Sequence, residues 1–429
     1  MPNAHPVTPA AVRLPEGRRL LSLAVVGVCA LYYLHVNLRL VLPAMPYPSD
    51  FAVYYAAGGA VLAHQSPFHV AGYLYPPVFA FLIAPISPLN YAGAQRLWFA
   101  LSHAFFLGSA YSLWRYAGRK RHALCCIAIV WAFGGAANES LALGQIGPLL
   151  LLPLVLTLPS SPGLRGVAAG VGAALKYLPA LVVAPFLLAR EWRALRWLAT
   201  AAGTLLLIPW LILITSFPGP HAPANAGFWM GTPAILSWSV PSCLLRVADR
   251  PVHGLPADWL NGNDLANIHL PAGERILSLC ASGLVIAAGI VILAFACRGK
   301  LGRSQIGWAV LSMITLGVAA APISWTHYQI LNYPGVALLL SRGVERRSWK
   351  LFGASLLCFA LMYQIPVLAL TRSYEAAGGW PATPAASIYA WTSIATAAGL
   401  FLFALFMLVI RTESRARQTA AEARPALVS

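Results

Sequence analysis

Charge is what this sequence has least of, and acid above all. Only 10% of its 429 residues are charged, where a soluble domain carries about 25%. Asp and Glu number 12 against 29 Lys and Arg. No HExxH, CxxC or glycine-rich phosphate loop is present, so the commonest zinc, thiol-redox and nucleotide signatures are missing. The seven cysteines, Cys29, Cys125, Cys126, Cys243, Cys280, Cys297 and Cys358, are odd in number. Six lie inside apolar blocks and read as small core residues, not as a disulfide framework or metal site. No loop between the apolar blocks on the basic side exceeds about ten residues, which leaves no room there for a nucleotide-binding domain.

What is present is apolar. Hydrophobic residues make up 59% of the chain. They come in blocks of roughly 17 to 25, long enough to cross a hydrocarbon core of about 30 Å as helices. Nothing alternates with the two-residue period of a membrane barrel, so the expected class is an all-α, polytopic integral membrane protein.

The net charge of +17 would suggest nucleic acid in a soluble protein. Here 17 of the basic residues fall in five places: Arg13, Arg18 and Arg19; Arg190, Arg193 and Arg196; Arg298, Lys300 and Arg303; Arg342, Arg346, Arg347 and Lys350; Arg411, Arg415, Arg417 and Arg424. Each group flanks an apolar block, as cytoplasmic ends do under the positive-inside rule, and no nucleic-acid partner is expected. The first block follows basic residues but ends at Arg39-Leu-Val-Leu-Pro43 without a small-residue cleavage site, so it reads as an uncleaved span.

The hydropathy pattern predicts spans at 20–42, 73–90, 93–114, 123–138, 141–158, 166–189, 198–215, 273–297, 306–322, 328–341, 351–370 and 386–410. These twelve divide the chain into a cytoplasmic N-terminus (1–19), a transmembrane domain (20–410) and a cytoplasmic, disordered tail (411–429). Two long polar-aromatic loops, 43–72 and 216–272, fall on the outer face by parity. The weak point is the basic run at 115–122, which twelve spans place outside. If 73–90 only dips into the membrane and 123–158 gives one span, the run moves inside and the count is ten.

With twelve carboxylates, elimination is informative. Glu16, Glu191, Glu345, Glu413 and Glu422 lie among basic residues and read as pairing partners. Asp249, Asp258 and Asp264 lie in the long outer loop, and Glu274 and Glu375 at outer span ends, where structural roles are expected. Two remain, Glu139 between apolar blocks and Asp50 after the first span. Asp50 suits two roles. It can cap the aromatic stretch that follows, or act as a general base whose pKa is raised at the mouth of an apolar cavity.

Cations inside the apolar blocks matter as much. Lys176, within Gly170-Val-Gly-Ala-Ala-Leu-Lys-Tyr-Leu-Pro179, must either snorkel to the interface or hold an anion such as a lipid phosphate. Arg39 and His35 share a face of the first span, and Arg246 follows Ser237-Trp-Ser-Val-Pro-Ser-Cys-Leu-Leu. A guanidinium fork suits phosphate. His327 lies in Pro322-Ile-Ser-Trp-Thr-His-Tyr-Gln329, beside Trp325 and other groups that can bond or stack on a sugar. A lone interfacial histidine is also often a hydrogen-bonded filler.

In order along the chain, Asp50-Phe-Ala-Val-Tyr-Tyr-Ala-Ala-Gly58, Ser66-Pro-Phe68, Tyr75-Pro-Pro-Val-Phe-Ala-Phe-Leu-Ile-Ala-Pro85 and Trp98 resemble the opening of glycosyltransferase family 87. Leu143-Gly-Gln-Ile-Gly-Pro-Leu-Leu150, Ala174-Leu-Lys-Tyr-Leu-Pro179, Leu187-Leu-Ala-Arg-Glu-Trp-Arg-Ala194 and Ile323-Ser-Trp-Thr-His-Tyr-Gln329 continue it. Ser237-Trp-Ser239 and the Ile-Gly-Pro after Gly144-Gln145 depart from the usual family pattern.

The resemblance implies a GT-C-type helical bundle and transfer of a hexose, with mannose as the default. The implied donor is a polyprenyl-phosphate sugar and the acceptor a lipid or envelope-glycan hydroxyl, reached from the periplasmic or exterior face of the inner (plasma) membrane. Asp50 takes the position of the catalytic base, with His327 as a second catalytic candidate. Lys176, Gln145, Tyr54, Trp325, Arg246 and Arg39 are the expected donor-phosphate and substrate contacts. No cofactor is expected, and no Asp-x-Asp pair follows the first span, so neither is a metal. The competing reading is a secondary transporter or lipid flippase, but neither two similar halves nor midplane polar sites are evident in the sequence.

Overall fold

The computed structural model describes residues 16–44, 50–158, 161–222, 232–249, 271–297 and 301–422. It is helical throughout, with one isolated bridge, Ser237 to Trp325, as the only strand-like pairing among the described residues. The helices are α1 (Glu16–Val36), which continues as a π-helical turn (Asn37–Val41), α2 (Asp50–Leu62), α3 (Pro77–Ile83), α4 (Tyr91–Tyr116), α5 (Arg121–Phe133), α6 (Gly135–Ala142), α7 (Gly147–Leu156) and α8 (Pro162–Leu175). There follow α9 (Val183–Leu188), α10 (Trp192–Ser216), α11 (Val240–Asp249), α12 (Ala272–Ala296), α13 (Arg303–Ala320), α14 (Tyr333–Glu345), α15 (Trp349–Phe359), α16 (Ile365–Ala377) and α17 (Ala385–Glu422).

Among the described residues, five stretches are long and apolar enough to cross a membrane: Arg19–Val41, Trp192–Ser216, Ala272–Ala296, Trp349–Ala377 and Ala385–Thr419. Large side chains such as Leu207, Leu211, Leu284 and Phe295 point outward from them, as lipid-facing residues do. Two bent pairs raise the number of such passes to seven, and Gly147–Leu156, Leu178–Leu188 and Gln305–Ala320 are shorter apolar helices. The all-α, polytopic class therefore holds, but the chain does not use twelve straight spans.

Two expected spans are built differently. Residues 73–90 contain only the short helical stretch Pro77–Ile86, which then turns by 115° into α4. Ten helical residues rise about 15 Å, half of a hydrocarbon core. Pro76, Pro77 and Pro85 break the apolar run, which hydropathy alone does not register. The block 166–189 is also split. Its helix stops at Leu175 because the ring of Pro179 would strike that residue's carbonyl, and Lys176 is left extended with φ −157° and ψ 128°.

Contacts fix which ends lie together. Cys125 reaches the Ser22 carbonyl and Tyr32 stacks on Phe133, so α1 and α5 run parallel. His103 bonds Asn37 and Phe106 stacks with Tyr33, so α4 runs the other way. Lys120 then pairs with Glu345, at the end that carries Arg342, Arg346, Arg347 and Lys350. The run 115–122 thus sits with the other basic clusters, where the twelve straight spans did not put it. Arg342 pairs with Glu413 at 2.7 Å, Arg165 with Glu191 at 3.5 Å, and Arg417 bonds Gln305. The pairing roles expected for Glu191, Glu345 and Glu413 are all seen.

Those same contacts correct the tail. Helix α17 continues past Arg411 to Glu422, because Glu413, Ser414 and Arg417 all find partners on α13 and α14. Close packing elsewhere rests on small residues. Gly166 and Gly170 of α8 lie against the Ala194 and Leu198 carbonyls of α10, and a Cβ at Gly170 would come within 2.7 Å of the latter.

Candidate active site

At the end of the bundle opposite the basic clusters, a cavity of about 330 Å³ opens between α2, the turn before α7, the break after α8, and the 321–328 segment. That volume lies at the small end of ligand pockets. It collects Asp50, Tyr54, Gln145, Lys176 and Trp325, five of the eight residues singled out in the sequence, and adds Tyr75 and Tyr328. A larger cleft of about 510 Å³, between α1, α4 and α5, is walled by side chains such as Val26, Leu34, Phe106 and Trp131 and holds no charged group.

Local geometry explains why these residues meet. Gly144 has φ +66°, a left-handed turn that glycine adopts without penalty, and a Cβ there would sit 2.7 Å from that of Phe51. Trp98 clamps the turn by donating to the Gly144 carbonyl at 2.8 Å, and the Phe51 amide donates to Leu143 at 3.3 Å. Gln145 is thereby set against the first residue of α2, where its amide donates to the Asp50 carboxylate. Its carbonyl accepts from Tyr54 at 3.1 Å and Tyr75 at 3.2 Å. The Tyr54 and Tyr75 hydroxyls also lie 2.8 Å apart, so Tyr54 can turn its one proton to either acceptor and the three form a closed polar network.

Asp50 is held in a burial-dominated environment. Loss of solvent pushes its carboxyl above the ordinary aspartate range, and the charges of His327 and Lys176 and the Gln145 bond pull it partly back. Lys176, only 9% exposed, lies with its ammonium 3.5 Å from the centre of the Tyr328 ring and 5.5 Å from that of Tyr75. Among the described residues no carboxylate comes within ion-pair distance of it. This cation is therefore presented to the cavity by aromatic faces, not neutralised by an acid. Snorkelling to the interface, the alternative open in the sequence, is not what this buried side chain does.

The 323–329 segment is fixed from outside. Trp238 donates to the Ser324 carbonyl at 2.7 Å, Thr326 to Leu236 at 2.9 Å, and the Ser324 amide to the Ser237 hydroxyl at 3.0 Å. Trp325 lines the cavity, whereas His327 is buried behind it, with Nδ1 3.8 Å from Glu139. Thr326 donates to the same Glu139 oxygen at 2.6 Å.

Two expected contacts are not brought to the cavity. Arg246 is fully buried, and its Nη1 donates to the carbonyls of Pro233, Ala234 and Ser237 at 3.3, 2.8 and 3.0 Å. It staples the segment that braces 323–329, a use of its donors that sequence position cannot reveal. Arg39 is exposed on the π-helical turn after α1. Among the described residues no three His, Cys, Asp or Glu side chains gather as metal ligands do. Asp258 and Asp264 lie outside the described residues.

Residues 73–322 match the model of glycosyltransferase family 87. The chain belongs to that family. This family 87 enzyme is a membrane glycosyltransferase, and the transporter reading is not favoured. It is 26% identical over 358 residues to the polyprenol-phosphate-mannose-dependent alpha-(1-2)-phosphatidylinositol mannoside mannosyltransferase of Mycobacterium tuberculosis, covering 79% of this chain and 78% of that protein. It is 25% identical over 311 residues to the polyprenol-phosphate-mannose-dependent alpha-(1-2)-phosphatidylinositol pentamannoside mannosyltransferase of Mycolicibacterium smegmatis, covering 69% of each. Gln145, Lys176 and Arg246 of the family 87 enzyme lie within the matched residues, while Asp50, Tyr54, Trp325 and His327 flank them.

Proposed function

We propose that the enzyme moves a hexose, mannose by preference, from a polyprenyl phosphate to a hydroxyl of a phosphatidylinositol mannoside-like lipid or envelope glycan. The observation that carries this reading is the shared cavity of Asp50 and Lys176. A glycosyl transfer from a lipid phosphate needs a base for the acceptor hydroxyl and a cation for the departing phosphate.

In this reading Asp50 takes the acceptor proton as the hydroxyl oxygen attacks the anomeric carbon, and the bond to phosphate oxygen breaks on the opposite face. The transfer is inverting. Lys176 stabilises the negative charge that collects on the leaving phosphate, and does so more strongly in a site poor in water. Gln145 orients the base, and Tyr54, Tyr75, Tyr328 and Trp325 supply walls and hydroxyls for the sugar. The basic clusters support an orientation with that end in the cytoplasm and the cavity facing the periplasm or exterior of the inner membrane.

The test uses the purified protein in liposomes with polyprenyl-phosphate-mannose labelled in the sugar. Appearance of label on an added phosphatidylinositol mannoside supports the reading. Movement of the intact donor lipid between leaflets without turnover would replace it with the transporter.

A further inference from the structure

Glu139 is a carboxylate without an assigned task in a place where carboxylates are costly. It sits on α6 in an apolar stretch with its side chain 22% exposed, and an intramembrane acid persists only with partners or a function. Its partners here are specific. Thr326 donates to Oε1 at 2.6 Å, and the His327 ring presents Nδ1 to the same oxygen at 3.8 Å. No lysine or arginine neutralises it among the described residues.

The other ring nitrogen of His327 has no partner. Nε2 is buried and unbonded. Burying an imidazole nitrogen without a hydrogen bond costs about 1–3 kcal/mol, so the ring keeps this place only because its other contacts hold it there.

From this geometry we propose that Glu139 is a positioning residue for the transfer reaction. By accepting from Thr326 and lying within ion-pair distance of His327 Nδ1, it fixes the segment whose Trp325 and Tyr328 line the cavity with Asp50. Thr326 in turn fixes Glu139, so the pair braces the cavity wall from behind Trp325. The inference rests on the reading of the Asp50 cavity as the transfer site.

The experiment is a double-mutant cycle in liposomes with polyprenyl-phosphate-mannose and a phosphatidylinositol mannoside, using Glu139→Gln, His327→Gln, the pair, Glu139→Asp, and Asp50→Asn as control. Glu139→Gln keeps the shape and can still accept from Thr326. The expected result is a kcat lower by about 10- to 100-fold with donor KM within about twofold, as for the loss of other groups that orient a functional histidine. Glu139→Asp should recover part of the rate, and Glu139→Gln should add almost nothing in the His327→Gln background. Independent, multiplicative losses, or full kcat in a stably inserted Glu139→Gln, would overturn the proposal. If Glu139→Gln fails to insert, Thr326→Val removes one fixing bond and must give the same split of kcat from KM; an unchanged kcat there also overturns it. Full activity of Asp50→Asn would instead sink the reading of the site, whatever Glu139 does.

Discussion

The amide of Gln145 is bonded to the carboxylate of Asp50, 95 positions earlier in the chain. That bond joins the start of α2 to the turn before α7. It also links the candidate base to a tyrosine pair, because the Gln145 carbonyl accepts from both Tyr54 and Tyr75. Gln145→Leu removes the whole junction at similar volume. The expected outcome is transfer slowed by at least tenfold in protein that still inserts, since a general base out of line loses much of its contribution. Steady-state kinetics beside a melting curve in detergent checks it, and an unchanged kcat contradicts it.

Lys176→Met keeps the length and removes the charge. A lost charge-assisted phosphate contact costs roughly 2–3 kcal/mol, so donor KM should rise about 30- to 100-fold. Folding should survive, because the ammonium is held by the Tyr328 and Tyr75 rings and not by an acid that would be orphaned. Donor titrations at fixed acceptor measure this. An unchanged donor KM removes Lys176 from the phosphate site.

Arg246 should behave in the opposite way. Arg246→Leu leaves the carbonyls of Pro233, Ala234 and Ser237 without their donor, and each unsatisfied buried group costs about 1–3 kcal/mol. The variant is expected to melt earlier or insert poorly, with donor KM near wild type in whatever protein folds. A stable variant with a selectively raised donor KM would return Arg246 to the phosphate site.

The pairing of Lys120 with Glu345 predicts topology. In a cysteine-free background, Lys120→Cys should be modified from the same side as Lys350→Cys, and His64→Cys from the other. Labelling of positions 120 and 64 from one side would contradict the arrangement of α1, α4 and α5.

Much of this was legible in the residues and some was not. Asp50 and Lys176 stand out because charge is so scarce that each buried ionisable group must be accounted for, and both line one cavity. Glu139 survived the same elimination, but its partners Thr326 and His327 lie nearly 190 positions on, beyond any local pattern. The contacts of Lys176 with the Tyr75 and Tyr328 rings join residues far apart in the chain and leave no local pattern. The span map went astray at 73–90 and 166–189 because hydropathy weighs apolarity, whereas prolines and one extended residue decide where a helix stops. The bonding of Arg246 was hidden for a related reason: a sequence shows a guanidinium, but not that three carbonyls already use it.

Acidity should act through Asp50. Burial raises its carboxyl, so it takes up its proton on acidification at a pH above the ordinary aspartate range of about 4. As a base it must be ionised, so transfer should fall as pH drops through that raised value. The stability sign is the reverse. A carboxyl raised on folding favours the folded state below its unfolded pKa and loses that benefit as pH rises through the folded value. Asp50→Asn should therefore be at least as heat-stable as wild type at neutral pH. Identical acid limbs in wild type and a residually active Asp50→Asn would contradict the first part, and a lower melting point the second.

The most direct measurement is the rate at which Asp50→Asn transfers mannose from polyprenyl phosphate to a phosphatidylinositol mannoside. Asn caps a helix about as well as Asp, so α2 and insertion should be preserved. The account predicts a stable protein slowed by about 10²-fold or more, the least that a general base typically contributes. Transfer at near wild-type rate by a normally inserted Asn variant would contradict it.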